Sequence, residues 1–143
     1  MNIGNVLRLK GREVATIHPQ VALETAAVML TERGIGSLVV VDTGGQPIGI
    51  LSERDIVRAV AQGGAAALTR SVESTMSRPI VTCSETDTID EVMAQMTARR
   101  FRHLPVIEGG KLAGIVSIGD VVKHRIAETE MEAAAMRAYI TTG

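Results

Sequence analysis

The chain has 143 residues, 45% of them apolar but only 1% aromatic, and a formal net charge of −1. That length suits one compact domain or a module of two small halves. The scarcity of aromatics excludes base-stacking platforms for single-stranded nucleic acid, and the charge balance calls for neither a polyanion nor an anionic membrane.

In chain order, residues 1–6 lack the charged-then-apolar pattern of a signal peptide, and the longest strongly apolar run, residues 38–41, is far too short to span a bilayer. A soluble, cytoplasmic protein is expected. Lys10-Gly11-Arg12 reads as an exposed loop, within reach of a phosphate. A short strand over residues 13–17 leads through His18-Pro19 to a helix with Leu23, Ala26, Ala27 and Leu30 on one face. A β-branched strand (37–41), a Gly44-Gly45 turn and a strand over 48–51 form a hairpin, and Asp55 opens a second helix. Residues 62–78 are a linker in which 65–68 add a short helix.

The series then repeats: a strand over 80–83, the turn Ser84-Glu85, a helix with Ile89, Val92, Met93 and Met96 on one face, strands over 104–107 and 112–116 around Gly109-Gly110, and a long helix from Asp120 to about residue 138. A shift of 66 positions carries Leu23 onto Ile89, Thr16 onto Thr82, Arg33 onto Arg99, Leu38 onto Leu104 and Asp42 onto Glu108. Past the shorter second turn the shift is 65, carrying Gly49 onto Gly114, Ser52 onto Ser117 and Asp55 onto Asp120. The chain is a duplication of a β-α-β-β-α unit, an α/β (α+β) fold. Because about 60 residues bury a sheet poorly alone, the units are expected to pack sheet to sheet with pseudo-two-fold symmetry. The expected boundaries are 9–68 for the first unit, 76–130 for the second and 131–143 for a C-terminal helix and tail, a partly exposed helix suited to a subunit contact.

The strings Gly49-Ile50-Leu51-Ser52-Glu53-Arg54-Asp55 and Gly114-Ile115-Val116-Ser117-Ile118-Gly119-Asp120 resemble the Gly-apolar-x-Ser/Thr-x-x-Asp signature of CBS domains. These are named after cystathionine β-synthase and occur as tandem pairs called Bateman modules. The stretches Arg33 to Val40 and Arg100 to Val106 are similar to that family's second-strand segment, and the resemblance runs from about Leu9 to Arg125. It implies a regulatory module that binds adenosine-containing ligands (AMP, ADP, ATP, NAD(H) or S-adenosylmethionine) in clefts between the halves. It also implies a homodimer, a separate regulated partner protein and no catalytic cofactor.

The residue chemistry of the signature stands beside that resemblance. A serine at a strand end with Asp three residues on places both at a helix N-terminus, where free N–H groups and the dipole favour a phosphate. An ionised Asp accepts charge-assisted hydrogen bonds from both hydroxyls of a ribose cis-diol. Asp55 and Asp120 are therefore the candidate ribose residues, with Ser52 and Ser117 beside them. The same spacing is a capping box, whose only task is to start the helix, and spacing alone leaves both readings open. Arg54 precedes the first Asp and either contacts phosphate or is solvated, whereas Gly119 offers only backbone at the second.

Arg99-Arg100-Phe101-Arg102-His103 is the densest positive cluster. The resemblance puts Arg102 and His103 near a ligand phosphate; the plain alternative is a solvated charge run with Phe101 in the core. Strand alternation would place Phe101 and His103 on one face and Arg102 on the other. The matching first-half stretch, with Gly36 and Ser37, is small and neutral, suited to an adenine or ribose lying against backbone. By resemblance, backbone near Thr16, Ile17, Thr82 and Cys83 reads the adenine edge; as residue types the threonines suit strands and Cys83 suits a small buried position.

A single cysteine excludes an internal disulfide and a cysteine-based zinc site, and His18, His103 and His124 lack metal-ligand spacing. No Gly-x-Ser-x-Gly elbow or Walker lysine points to catalysis. Three non-catalytic readings remain. They are a sensor of adenine nucleotide or dinucleotide, a dimerisation scaffold that has lost binding, and a nucleic-acid binder, which charge and composition argue against.

Overall fold

The computed structural model describes residues 1–142. Eleven-residue helices, short strands and hairpins follow one another in the duplicated order. The chain forms two compact units, one of residues 13–81 and the other of residues 1–12 together with residues 82 onward.

In the unit of residues 13–81, β1 (Thr16–Ile17) lies parallel to β2 (Ser37–Val41), which pairs antiparallel with β3 (Pro47–Ser52). Helix α2 (Leu23–Arg33) crosses between β1 and β2, and α3 (Glu53–Gly63) follows β3 directly. The expected stripe of α2 is the buried one: Leu23, Ala26 and Leu30 join Ile17, Leu38, Val40, Leu51, Ile56 and Ala59 in one apolar core. Gly34 ends α2 in the left-handed region at φ 61°, its N–H returning to the carbonyls of Leu30 and Thr31. The short helix expected in the linker is a 3₁₀ segment, Gly64–Thr69, followed by another at Val72–Ser74.

The other unit holds α4 (Ile89–Arg99), β4 (His103–Glu108), β5 (Lys111–Ser117) and α5 (Ile118–Thr142). Its sheet has two strands, β4 and β5. The strand expected over 80–83 reduces to a single parallel bridge between Cys83 and Val106. In the first repeat the Val39 N–H donates to the Ala15 carbonyl and extends the parallel pair. The residue at that position in the second repeat is Pro105, which has no N–H to repeat the bond. The residue matching Gly34 is Arg100, held at φ 58°; a side chain there costs about 1–2 kcal/mol that glycine avoids. Phe101 and Arg102 precede β4 rather than alternating along it, and Phe101 is half-buried rather than in the core.

One element was not expected. Residues 3–10 form helix α1 (Ile3–Lys10), started by a capping box between Asn2 and Asn5 and burying Ile3, Val6 and Leu7 completely. It packs on β5 and α5, so Lys10, expected in an exposed loop, ends a helix that belongs to the second repeat's unit. The backbone bonds explain why. Ile3 and Gly4 N–H donate to the carbonyls of Asp87 and Glu85; in the first repeat Val72 and Glu73 N–H donate to Val21 and Pro19. A shift of 66 carries Val21 onto Asp87, and one of 69 carries Ile3 onto Val72. Each repeat thus begins with a lead segment, residues 1–12 or 70–81, and that segment completes the sheet unit of the other repeat. The leads dock at glycines: a Cβ on Gly114 would come within 2.8 Å of Leu7, and one on Gly49 within 2.7 Å of the Met76 sulfur.

Helix α5 runs to Thr142 without a break, well past the residue 138 expected, and its last turns are exposed, with Met131, Met136, Tyr139 and Ile140 more than half open to solvent. Among the described residues no helix is long and apolar enough to cross a membrane. If α1 is core rather than a tail, Leu7→Ala costs about 2–5 kcal/mol in urea unfolding. Leu9→Ala, at a position 76% exposed, stays within about 0.5 kcal/mol.

Candidate functional site

Each hairpin delivers its signature serine to a strand end and its signature aspartate to the first turn of the next helix. Ser52 caps α3: its hydroxyl accepts from the Asp55 N–H at 3.2 Å, and the Asp55 carboxylate (Oδ2) accepts from the Ser52 N–H at 2.9 Å. Ser117 and Asp120 repeat this at α5, with distances of 3.1 and 2.8 Å. The capping duty open from spacing alone is therefore real in both copies. It uses one carboxylate oxygen and leaves the other to accept further donors.

The sheet register brings the second-strand segment to the same place. Ser37 pairs with Ser52 across β2 and β3, and His103 with Ser117 across β4 and β5. The first N–H of each helix closes the corner, Glu53 donating to the Gly36 carbonyl at 3.0 Å and Ile118 to the Arg102 carbonyl at 2.8 Å. One unit thus gathers Gly36, Ser37, Ser52, Arg54 and Asp55, and the other Arg102, His103, Ser117 and Asp120. Arg54 and Arg102 are exposed, Ser37 and Asp55 buried, and His103, Ser117 and Asp120 partly so.

Thr16 and Ile17 lie on the next strand over, opposite Val39 and Val40. Thr16 is exposed, while the Ile17 side chain belongs to the core and leaves only its backbone for a site. Thr82 precedes the Cys83 bridge and is half-buried. Cys83 is the buried small residue expected; burial, with Asp87 and Glu108 nearby, pushes its thiol up to about 12, so it stays protonated and unreactive. A groove of about 450 Å³ between α2 and α3 is lined by Leu30, Ile35, Gly36, Glu53, Ile56 and Val57. It meets the signature corner at Gly36 and Glu53 and does not reach Asp55.

The electrostatics of the two aspartates differ. Asp55 has Arg58 at 3.7 Å, one turn along the same helix and 66% exposed. Asp120 has Lys10 at 2.5 Å, brought from α1, and the same ammonium donates to the Ile115 carbonyl at 2.8 Å. Lys10, by sequence a loop residue within reach of a phosphate, is the partner of a signature carboxylate, a pairing between residues so far apart in sequence that spacing carries no sign of it. Burial alone would raise the Asp120 carboxyl, but the Lys10 ammonium and the Ser117 N–H and hydroxyl hold it below the usual carboxylate range. Among the described residues no three His, Cys, Asp or Glu side chains group as a metal site.

The family profile of the CBS domain matches residues 8–62 and again 70–127. The second match begins at the lead segment that the backbone bonds define. A CBS-domain protein from Agrobacterium tumefaciens is 48% identical, its crystal structure superposing with a TM-score of 0.85 over 87% of this chain and 99% of that one. The CBS domain pair of protein MJ0100, crystallised with 5′-methylthioadenosine and S-adenosyl-L-methionine, is 25% identical with a TM-score of 0.79 over 90% of this chain and 98% of that one. An uncharacterized protein of Methanopyrus kandleri is 34% identical over 124 residues, which span 86% of this chain and 62% of that protein.

A carboxylate whose folded pKa lies below its unfolded value, near 3.9, adds stability above that pH and loses it as pH falls through the folded pKa. The fall in thermal stability between about pH 4 and pH 2 is therefore shallower in Asp120→Asn than in wild type. Melting curves by circular dichroism across that window check this. Parallel curves for the two proteins would show that Asp120 gains nothing from Lys10 and Ser117.

Proposed function

The chain belongs to the CBS-domain family as a tandem pair, and on that premise we propose that it is a regulatory module that binds adenosine-containing ligands at its Ser-x-x-Asp signatures and signals occupancy to a partner protein. The observation that carries this reading is the signature corner, built twice. In each unit a partly committed carboxylate at a helix N-terminus sits beside a serine and an exposed basic side chain on the adjoining segment or turn. Such a corner suits a ribose diol and an attached anionic group.

The two ligands named for the MJ0100 pair share adenosine and carry no phosphate. That supports recognition through the nucleoside, to which the free carboxylate oxygens are suited. Phosphate-bearing ligands such as AMP, ADP, ATP and NAD(H) additionally meet Arg54 in the first copy or Arg102 and His103 in the second. Regulation requires that the ligand bind one conformation of the module better than another. The exposed apolar side chains of α5 and of Val28 and Val57 support self-association as a homodimer, which sedimentation at micromolar concentration reads directly.

Thermal unfolding of the ligand-free protein against AMP, ADP, ATP, NAD, NADH, 5′-methylthioadenosine and S-adenosylmethionine tests the reading, with Asp55→Ala and Asp120→Ala alongside. Each variant loses a cap worth about 1 kcal/mol, so shifts are read against its own ligand-free baseline. A ligand at 100 times its Kd stabilises by about 2.7 kcal/mol, a shift of roughly 5–10 °C at this size. The expected result is a selective shift removed by one aspartate variant or both. A folded protein that shifts with none of the ligands is a dimerisation scaffold whose aspartates serve only as helix caps.

A further inference from the structure

The two signatures have the same caps but different company, and the difference comes from outside both of them. Lys10 reaches Asp120 from a helix 110 positions earlier in the chain. It is fixed from both ends of that helix: Ile3, Val6 and Leu7 are fully buried, and Arg12, just beyond it, pairs with Glu85. The ammonium is partly open to solvent but is held by two acceptors, the Ile115 carbonyl and Asp120 Oδ2, so it is a placed group. Oδ2 also accepts the Ser117 N–H. A cis-diol bound through both oxygens of the carboxylate meets one of them already holding two donors.

Among the described residues the first copy has no cation brought to its aspartate from the lead segment; its partner is Arg58 of the same helix. Its lead segment, residues 70–81, carries Pro79 where the other carries Lys10, and the Ile50 carbonyl is satisfied by the Ser77 backbone N–H at 2.9 Å. Asp55 Oδ2 accepts only the Ser52 N–H among the hydrogen bonds of the described residues.

We propose that Lys10 is a built-in occupant of the second signature, a competitor that a ribose must displace from Asp120 before it binds there with both hydroxyls. This rests on the reading of the signature aspartates as ribose acceptors. Ligand entry at Asp120 then breaks the polar tie of α1 to the helix start, so occupancy at that site and the hold on the lead segment oppose each other.

The test uses adenosine, an uncharged probe with the diol and no phosphate, in calorimetric titrations of the full chain. Asp55→Ala isolates the second site, and Lys10→Met is added to it. Lys10→Gln is carried in parallel, keeping a donor for Ile115 without the charge, and melting curves confirm that each variant is folded. The expected result is adenosine binding about three- to fivefold tighter without the ammonium, the range set by a partly exposed ion pair. A second sign is tighter binding at 0.5 M than at 0.05 M salt in Asp55→Ala alone, since salt screens the pair. Equal affinity with and without Lys10 overturns the proposal, and weaker binding overturns it by showing that the ammonium holds the ligand. Binding by wild type but by none of the Asp55→Ala proteins rejects it while leaving the first signature as a site. No adenosine binding by any protein, wild type included, rejects the underlying reading as well.

Discussion

Leu7 occupies the space that Gly114 leaves beside β5, and the position of the whole N-terminal helix follows from that contact. With no Cβ on residue 114 the helix approaches the strand to van der Waals distance; any side chain there would collide with Leu7. An eight-residue helix has little stability of its own, so its order comes from burying Ile3, Val6 and Leu7. Once it is docked, its last turn lies over the end of β5, which is how Lys10 meets Ile115 and Asp120. Met76 and Gly49 make the corresponding contact in the first repeat. Two small residues in the hairpins thus let each sheet accept a lead segment from the other repeat.

The signature corner meets the needs of a helix start and, on the proposed reading, of a ligand with one set of atoms. A helix that follows a strand with no intervening loop has its first N–H groups unsatisfied, and the serine hydroxyl and strand-end carbonyls answer them. The aspartate returns the favour to the serine N–H and so is held in one rotamer, with its second oxygen aimed away from the cap. A carboxylate already oriented loses little freedom when a ligand arrives, which favours binding. Capping by Ser52 and Asp55 is for this reason compatible with the proposed recognition. The cap is what preorganises the acceptor.

Much of this was legible in the sequence because it depends on short-range spacing. The stripes of α2 and α4 follow the helical period, the hairpins follow glycine turns, and the caps follow Ser-x-x-Asp. What escaped depends on partners far apart. Residues 3–10 carry Ile3, Val6 and Leu7 at helical spacing but over barely two turns, and the glycine that accepts Leu7 lies more than a hundred positions away. The strand over 80–83 has a good β composition, but its pairing was decided by Pro105 on the neighbouring strand rather than by its own residues. Phe101 looked like a core residue by type; Arg100 in the left-handed region turns the chain before β4 begins and leaves the ring half-buried.

The same logic accounts for the inequality of the copies. Duplication preserved the hairpin glycine, the serine and the aspartate of the corner, and it kept a backbone carbonyl, of Gly36 or Arg102, to receive the first helical N–H. It did not preserve the positions around them, where Gly34 became Arg100, Val39 became Pro105 and Pro79 stands where Lys10 is. Of these, the Lys10 position is the one that changes what faces the carboxylate, while the caps are the same in both copies. In the first copy the paired cation, Arg58, comes from the same helix as Asp55 and is 66% exposed. In the second the cation comes from a different element and is locked to two acceptors. A carboxylate paired with an exposed arginine of its own helix and one paired with an ammonium from another element have different electrostatic surroundings, so the two copies of the signature are not equivalent.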